Sequence, residues 1–173
     1  MLLVSISVLF LAATVAVLIT RSRVPHWRLP GQHGLPWSIF ASTACLAVVS
    51  GLLHAARRAT SANRFTRVVL LLRATIGVAL IFVGTQALSV RELTHSEGAF
   101  ATQTLFVFSF DLLVGLHALH VIGGFVPLTI VHGKAMRREY SSSRQAGLAF
   151  CTQYWDYLGL IWLVLLATLG WIA

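Results

Sequence analysis

Three charged side chains lie inside long apolar runs of this sequence: Arg73, Asp111 and Asp156. An ionisable group at membrane depth costs several kcal/mol, so each one indicates a structural or functional requirement. Counted at about 1.5 Å per residue, Arg73 lies roughly 9 Å and Asp156 roughly 13 Å from the inner face, and Asp111 lies in the outer half. We predict an Arg73–Asp156 ion pair between helices. The alternative is that Arg73 extends to the interface while Asp156 is protonated or bonded to water.

Two histidines, His117 and His120, are three residues apart, so on a helix their rings project to one side, about 60° apart. Such a pair could ligate a metal, but a metal site needs three or four donors, and Asp111 is about 120° or more away on the same helix. His54 and Cys45 are further possible donors that no spacing selects. The favoured interpretation is that both histidines lie at contacts with neighbouring helices or a partner subunit.

Other chemistries are not indicated by the sequence. There is no C-x-x-C-H haem-attachment motif, no phosphate-binding loop, and no pair of carboxylates spaced for acid–base catalysis. Cys45 and Cys151 lie in apolar runs, where a thiol packs as a small hydrophobic group. The net charge of +8 falls in short segments between apolar runs, so it indicates membrane topology and no nucleic-acid partner. The chain is therefore predicted to be non-catalytic.

The composition identifies the environment of these residues. Of the 173 residues, 57% are hydrophobic and 10% are charged, and long apolar runs satisfy their backbone groups in lipid as helices. We predict an all-α membrane helix bundle forming a single domain over residues 1–173. Its five transmembrane helices are expected at about 2–20, 37–56, 68–90, 101–131 and 146–172.

The orientation follows from basic residues in the second and fourth connections. An excess of arginine and lysine marks the cytoplasmic side of a membrane protein. We therefore expect the N-terminus inside and the C-terminus outside, in the inner membrane of a bacterium. The residues concerned are Arg57, Arg58, Arg64, Arg67, Lys134, Arg137, Arg138 and Arg144.

The fourth run resembles a known signature. Its residues Gly115, His117, His120, Val121 and Gly123 are similar to the G-x-H-x-x-H-V motif of subunit III of the haem–copper oxidases.

Further segments support this resemblance across most of the chain, which is most similar to the five-helix form of the family. They are Leu35-Pro36-Trp37, Ser50 with His54, Gln86-Ala87, Ser96-Glu97-Gly98, and Tyr154-Trp155 with Trp162.

Several positions depart from the family pattern. Thr14 and Ser89 stand where the family often has glutamate, so proton chemistry attributed to those acids does not carry over. Asp156 stands where the family has histidine, and Gly159 where it has aspartate. Arg73 falls where small polar residues are common.

The resemblance implies an accessory subunit of an oxidase that reduces O₂ to water and pumps protons. Such a subunit packs against the catalytic subunit I, in a complex with subunit II, and binds phospholipid. It holds no redox centre, since haem and copper belong to partner subunits. Gly115 is expected at a close approach between helices. The alternatives are the related accessory subunit of a nitric oxide reductase and a small membrane transporter.

Overall fold

The computed structural model describes residues 2–24, 38–96, 105–141 and 145–172. Within these ranges the chain forms five α-helices, each long and apolar enough to cross a membrane. The predicted all-α fold with five transmembrane helices is therefore confirmed. The helices are α1 (Leu2–Arg23), α2 (Ser38–Ser61), α3 (Phe65–Ser96), α4 (Leu105–Met136) and α5 (Ala146–Ile172).

The helix bounds differ most from the prediction at α3 and α4. α3 begins three residues earlier and ends six residues later than the predicted 68–90 run, and α4 continues to Met136. Apolar runs mark the lipid-embedded part, whereas a helix can continue into water with polar residues such as Arg91. Each of these helices has 32 residues, or about 48 Å, against a hydrocarbon core of about 30 Å. Both extend beyond the lipid.

Some predicted features lie outside the described residues. These are the Leu35-Pro36-Trp37 segment, the Glu97-Gly98 turn, the first residues of the predicted fourth span, and Arg144.

The helices pack as a bundle in which α2 and α3 form the most extensive contact. α3 also packs on α4, and α5 packs on both α4 and α2, while α1 lies against α4 and α5. The largest fully buried side chains include Trp155, Trp162, Phe82, Phe106 and Phe110. Large apolar side chains also cover the outside of all five helices, as expected for surfaces that face lipid or partner subunits.

Two tight turns end α2 and α4 with the same backbone geometry. At α2, Asn63 adopts a left-handed φ of 53°, and the Arg64 amide donates to the Ala59 carbonyl at 2.9 Å. At α4, Arg138 adopts a φ of 56°, and the Glu139 amide donates to the Lys134 carbonyl at 3.1 Å. This is the Schellman arrangement, in which a left-handed residue lets the last carbonyls find donors.

The close approach between helices occurs at Gly124 rather than at the predicted Gly115. A Cβ built on Gly124 would lie 2.9 Å from Cε1 of Tyr154 and 3.3 Å from Cζ2 of Trp155, whereas one on Gly115 meets no described residue within 4 Å. Gly115 is exposed, because its face of α4 points away from α5. The described helices of this chain do not approach Gly115, so a close approach there stays a prediction for a partner helix, and Gly124 is where α5 packs closely on α4.

We expect Gly124→Ala to destabilise the protein by about 1–3 kcal/mol, because two buried aromatic rings must move to admit the methyl group. Gly115→Ala is the matched control, since it adds the same group to open space on the same helix and should be neutral or slightly stabilising. Thermal unfolding of both variants in detergent, followed by tryptophan fluorescence, measures the difference. Equal midpoints for the two variants would contradict this account.

Candidate functional site: the groove between helices α2 and α5

The carboxylate of Asp156 joins α5 to α2. Its Oδ1 atom accepts a hydrogen bond from the Ser50 hydroxyl. Its Oδ2 atom lies 3.0 Å from Nε2 of His54, at hydrogen-bonding distance. Ser50 and His54 are four residues apart, so the helical repeat places both on one face of α2. The Asp156 and His54 side chains are 35% and 48% exposed. The carboxylate therefore has a donor for each oxygen and remains accessible from outside the protein.

The predicted ion pair between Arg73 and Asp156 is not formed. Across the described ranges, the pairs within 4.0 Å are His54–Asp156 and Arg137–Glu139. Arg73 is exposed and lines a separate groove between α3 and the end of α4. Similar depth was the basis of the prediction, but depth does not say which helices are neighbours. Asp156 faces α2, whereas Arg73 is directed towards α4.

A groove of about 390 Å³ contains the Asp156 cluster. Apolar side chains such as Leu46, Leu160 and Leu163 form its walls, and Trp155 and Trp162 also line it. Gly159 leaves room in the groove, since a Cβ at this position would meet nothing within 4 Å. The groove can hold a hydrocarbon chain or an apolar side chain along its walls, with a hydrogen-bonding group near Asp156 and His54.

His117 lies in a layer of aromatic rings at the centre of the bundle. The side chain is fully buried, with ring-centroid distances of 5.1 Å to Trp162, 6.0 Å to Phe82 and 6.2 Å to Phe10. Trp162 in turn donates its indole N–H to the Thr43 hydroxyl at 2.9 Å. These five residues come from five different helices, so the layer connects all of the helices.

The two signature histidines make different contacts. Neither ring nitrogen of His117 has a hydrogen-bond partner within the described part of the chain, so its contacts are through the face and edges of the ring. His120 is partly exposed, donates from Nδ1 to the Leu116 carbonyl at 2.8 Å, and packs on Phe10 with centroids 5.2 Å apart. Both histidines thus lie at helix contacts, but within the described ranges neither side chain donates a hydrogen bond to another helix.

The backbone of the signature segment accepts a hydrogen bond from a side chain of α5. The Tyr154 hydroxyl donates to the His120 carbonyl at 2.8 Å, and a Cβ on Gly123 would lie 3.8 Å from that hydroxyl. Val121 is fully buried. The signature therefore forms much of the contact surface between α4 and α5.

Asp111 is half-buried on α4. Its Oδ1 atom is buried and accepts no hydrogen bond from any described residue. The sequence could not name a partner for Asp111, and none is found in the described ranges.

Two hydroxyls, Ser89 and Thr14, stand at positions where the resemblance described above led us to expect glutamate. Ser89 is fully buried and shares a hydrogen bond of 2.8 Å with Ser38, which joins α3 to α2. Thr14 is buried beside Ser7 and Tyr157 in an apolar groove of about 330 Å³ between α1 and α5. Neutral groups thus fill both positions without placing a charge in the bundle.

Possible metal ligands do not assemble in the described residues. No three His, Cys, Asp or Glu side chains there are grouped closely enough to hold a metal ion. Cys45 and Cys151 are free thiols.

The Ser50–His54–Asp156 cluster was missed by the sequence analysis, although its signal was present. Ser50 and His54 share one face of α2. His54, about 10 Å from the inner end of that helix, is close in depth to Asp156. The sequence analysis paired Asp156 with Arg73 because their charges are opposite. In the structure, the carboxylate of Asp156 is bonded instead by Ser50 and His54 of α2.

The sequence is similar to known proteins over most of its length. Residues 43–173 match the family model of cytochrome c oxidase subunit III, a range that contains most of α2 and the whole of α3, α4 and α5. Cytochrome c oxidase subunit 3 of Synechocystis is 27% identical over 165 residues, which cover 94% of this chain and 69% of that protein.

Two further relatives have similar sequence identities to this chain. Cytochrome c oxidase subunit 3 of Glycine max is 26% identical over 79% of this chain, and that of Prototheca wickerhamii is 29% identical over 75%. The chain spans about half the length of these two relatives, 50% and 48%. Because the family model matches residues 43–173, about three quarters of the chain, and this range includes the groove and the signature histidines, we conclude that the chain belongs to the cytochrome c oxidase subunit III family.

Proposed function

We propose that the protein is the accessory subunit III of a respiratory haem–copper terminal oxidase, which reduces O₂ to water and pumps protons. The match of residues 43–173 to the subunit III family carries this proposal. In this role the chain stabilises the catalytic subunit I in a complex that also contains subunit II. Haem and copper are held by those partners, and the chain itself contributes helices and bound phospholipid.

The surface of the bundle supports a role in assembly. Exposed apolar side chains occur on every helix, among them Leu11, Leu70, Leu119 and Leu160, which are between 59% and 66% exposed. Such surfaces fit lipid tails and the helices of other membrane subunits. The central aromatic layer holds the five helices in one arrangement, which a partner could recognise as a rigid surface.

The proposed function predicts that haem-bearing subunits co-purify with this chain. Affinity-tagged protein extracted in mild detergent should yield an oxidase catalytic subunit by mass spectrometry and haem absorption in the same sample. A co-purifying nitric oxide reductase catalytic subunit would assign the chain to that complex instead. Solute movement by the chain alone in proteoliposomes, with no haem-bearing partner, would overturn the accessory role.

The Asp156 cluster is expected to stabilise the packing of α5 on α2. Asp156→Asn retains one acceptor oxygen in place of two, so one donor on α2 loses its carboxylate partner. We expect a loss of about 0.5–2 kcal/mol, measured as a lower unfolding temperature and less co-purified haem.

The matched control for Asp156→Asn is Glu139→Gln. It removes the carboxylate of the exposed Arg137–Glu139 pair, in which Nη1 of Arg137 and Oε1 of Glu139 are 4.0 Å apart. The unfolding temperature should change little, because an exposed ion pair contributes little stability. The role of the cluster would be rejected if both variants unfolded at the same temperature, or if Ser50→Ala and Asp156→Asn had strictly additive effects.

We further propose that the N-terminus lies in the cytoplasm and the C-terminus outside, in a bacterial inner membrane. In a variant with Cys45 and Cys151 replaced by alanine, Ala62→Cys should react with a membrane-impermeant maleimide only after the cells are permeabilised. Glu97→Cys should react in cells with an intact inner membrane. The opposite labelling pattern would invert the topology.

A further inference from the structure

The outer face formed by α2 and α5 carries polar side chains at membrane depth. Asp156 and His54 are 35% and 48% exposed on this face. Gln153 is three residues before Asp156, so it projects from the same side of α5, and it is exposed. All three residues lie within helices that are long and apolar enough to cross a membrane. In the isolated chain these polar groups would face hydrocarbon.

Hydrogen bonds within the chain leave acceptor positions open on this face. Ser50 and His54 place one polar partner on each carboxylate oxygen of Asp156, whereas a carboxylate can accept about four hydrogen bonds. The side-chain amide of Gln153 bonds to no described residue. No arginine or lysine of the described ranges lies within 4.0 Å of Asp156. With a neutral imidazole on His54, the cluster therefore carries one net negative charge.

Small residues beside the cluster leave room for another helix. Ala44, Ala47 and Gly51 are spaced by three and four residues, which places them on one face of α2, and all three are exposed. Gly51 is three residues before His54, so these small residues adjoin the polar cluster. A Cβ on Gly51 or on Gly159 of α5 would meet no described residue within 4 Å. Small residues at such spacing let the backbones of two membrane helices approach closely.

We propose that this face receives a transmembrane helix of a partner subunit, and that the helix carries an arginine or lysine which pairs with Asp156. Charge complementarity identifies the occupant, because a carboxylate at membrane depth is usually paired with a cation. A guanidinium or ammonium group also supplies donors for the open acceptor positions of Asp156 and Gln153. An acyl chain supplies no donors, and lipid headgroups lie outside the hydrocarbon core.

The inference rests on the proposed function and deepens it. It narrows the contact with other subunits to one face of the bundle and to one kind of partner residue.

Photo-crosslinking in the purified complex identifies the partner helix. Benzoylphenylalanine, a photoreactive amino acid, replaces Gln153 in one sample and Phe108 in the control, because Phe108 is exposed on a different helix, α4. Irradiation should join position 153 to a transmembrane peptide that contains arginine or lysine, as determined by mass spectrometry. Crosslinks from position 153 to lipid or detergent only would overturn the proposal. So would a peptide without a basic residue, or the same peptide joined to position 108.

A double-mutant cycle separates this pair from the role of Asp156 within its own chain. Asp156→Asn, and replacement of the crosslinked basic residue by methionine, should each reduce the co-purified partner subunit roughly tenfold. The double variant should lose no more partner than Asp156→Asn alone, because either change already breaks the pair. Strictly additive effects would overturn the pairing.

Gly51→Leu tests the docking face without changing any charge. The new side chain enters open space in this chain, so the fold should be retained. It fills the space of the partner helix, and we expect roughly tenfold less co-purified partner. Gly77→Leu is the matched control, because Gly77 is an exposed glycine on α3 with the same open surroundings. Equal retention of the partner by the two variants would contradict the docking face.

The same samples distinguish this proposal from the proposed function. If haem-bearing subunits are present but position 153 reaches no basic transmembrane helix, the docking face is wrong and the accessory role stands. If position 153 joins a basic transmembrane helix in a complex without haem, the docking face stands and the oxidase assignment fails.

Discussion

Lipid offers no hydrogen-bond partner, so a polar side chain on a transmembrane helix must find one within the protein. Most hydroxyls here bond to the carbonyl four residues earlier in their own helix, as Ser42, Thr60 and Thr152 do at 2.9 Å. A carboxylate cannot do this, because it needs donors and the amides of its helix are already bonded. Asp156 therefore takes its donors from α2, and the contact between α2 and α5 depends on that requirement.

The aromatic layer around His117 meets the same constraint in a different way. An imidazole ring presents flat faces as well as polar edges, and aromatic rings pack well against them. Its neighbours Phe10, Phe82 and Trp162 come from α1, α3 and α5, and Thr43 on α2 receives the indole N–H. His117 thus contacts three helices directly and a fourth, α2, through Trp162. His120, three residues later, lies at the edge of this layer and packs on Phe10.

Much of this structure could be predicted from the sequence, since the apolar runs give the number and approximate location of the helices directly. The signature also indicated that His117 and His120 lie at helix contacts, and of these two residues His117 is the buried one. Contacts between side chains on different helices could not be predicted in the same way. Arg73 and Asp156 were matched by depth and charge, yet helix rotation places them in different grooves. Gly115 and Gly124 look alike in sequence, and only the packing of Tyr154 and Trp155 distinguishes them.

The short turn between α2 and α3 also affects how the chain enters the membrane. Only three residues, 62–64, connect these two helices, so the end of α2 and the start of α3 lie on the same side of the membrane. The two helices also make the most extensive helix contact in the bundle, and together they form a helical hairpin. Arg57, Arg58, Arg64 and Arg67 flank the turn, and moving four guanidinium groups through hydrocarbon would cost several kcal/mol each. This cost opposes inversion of the hairpin once it has inserted, so the four arginines keep the turn on one side of the membrane.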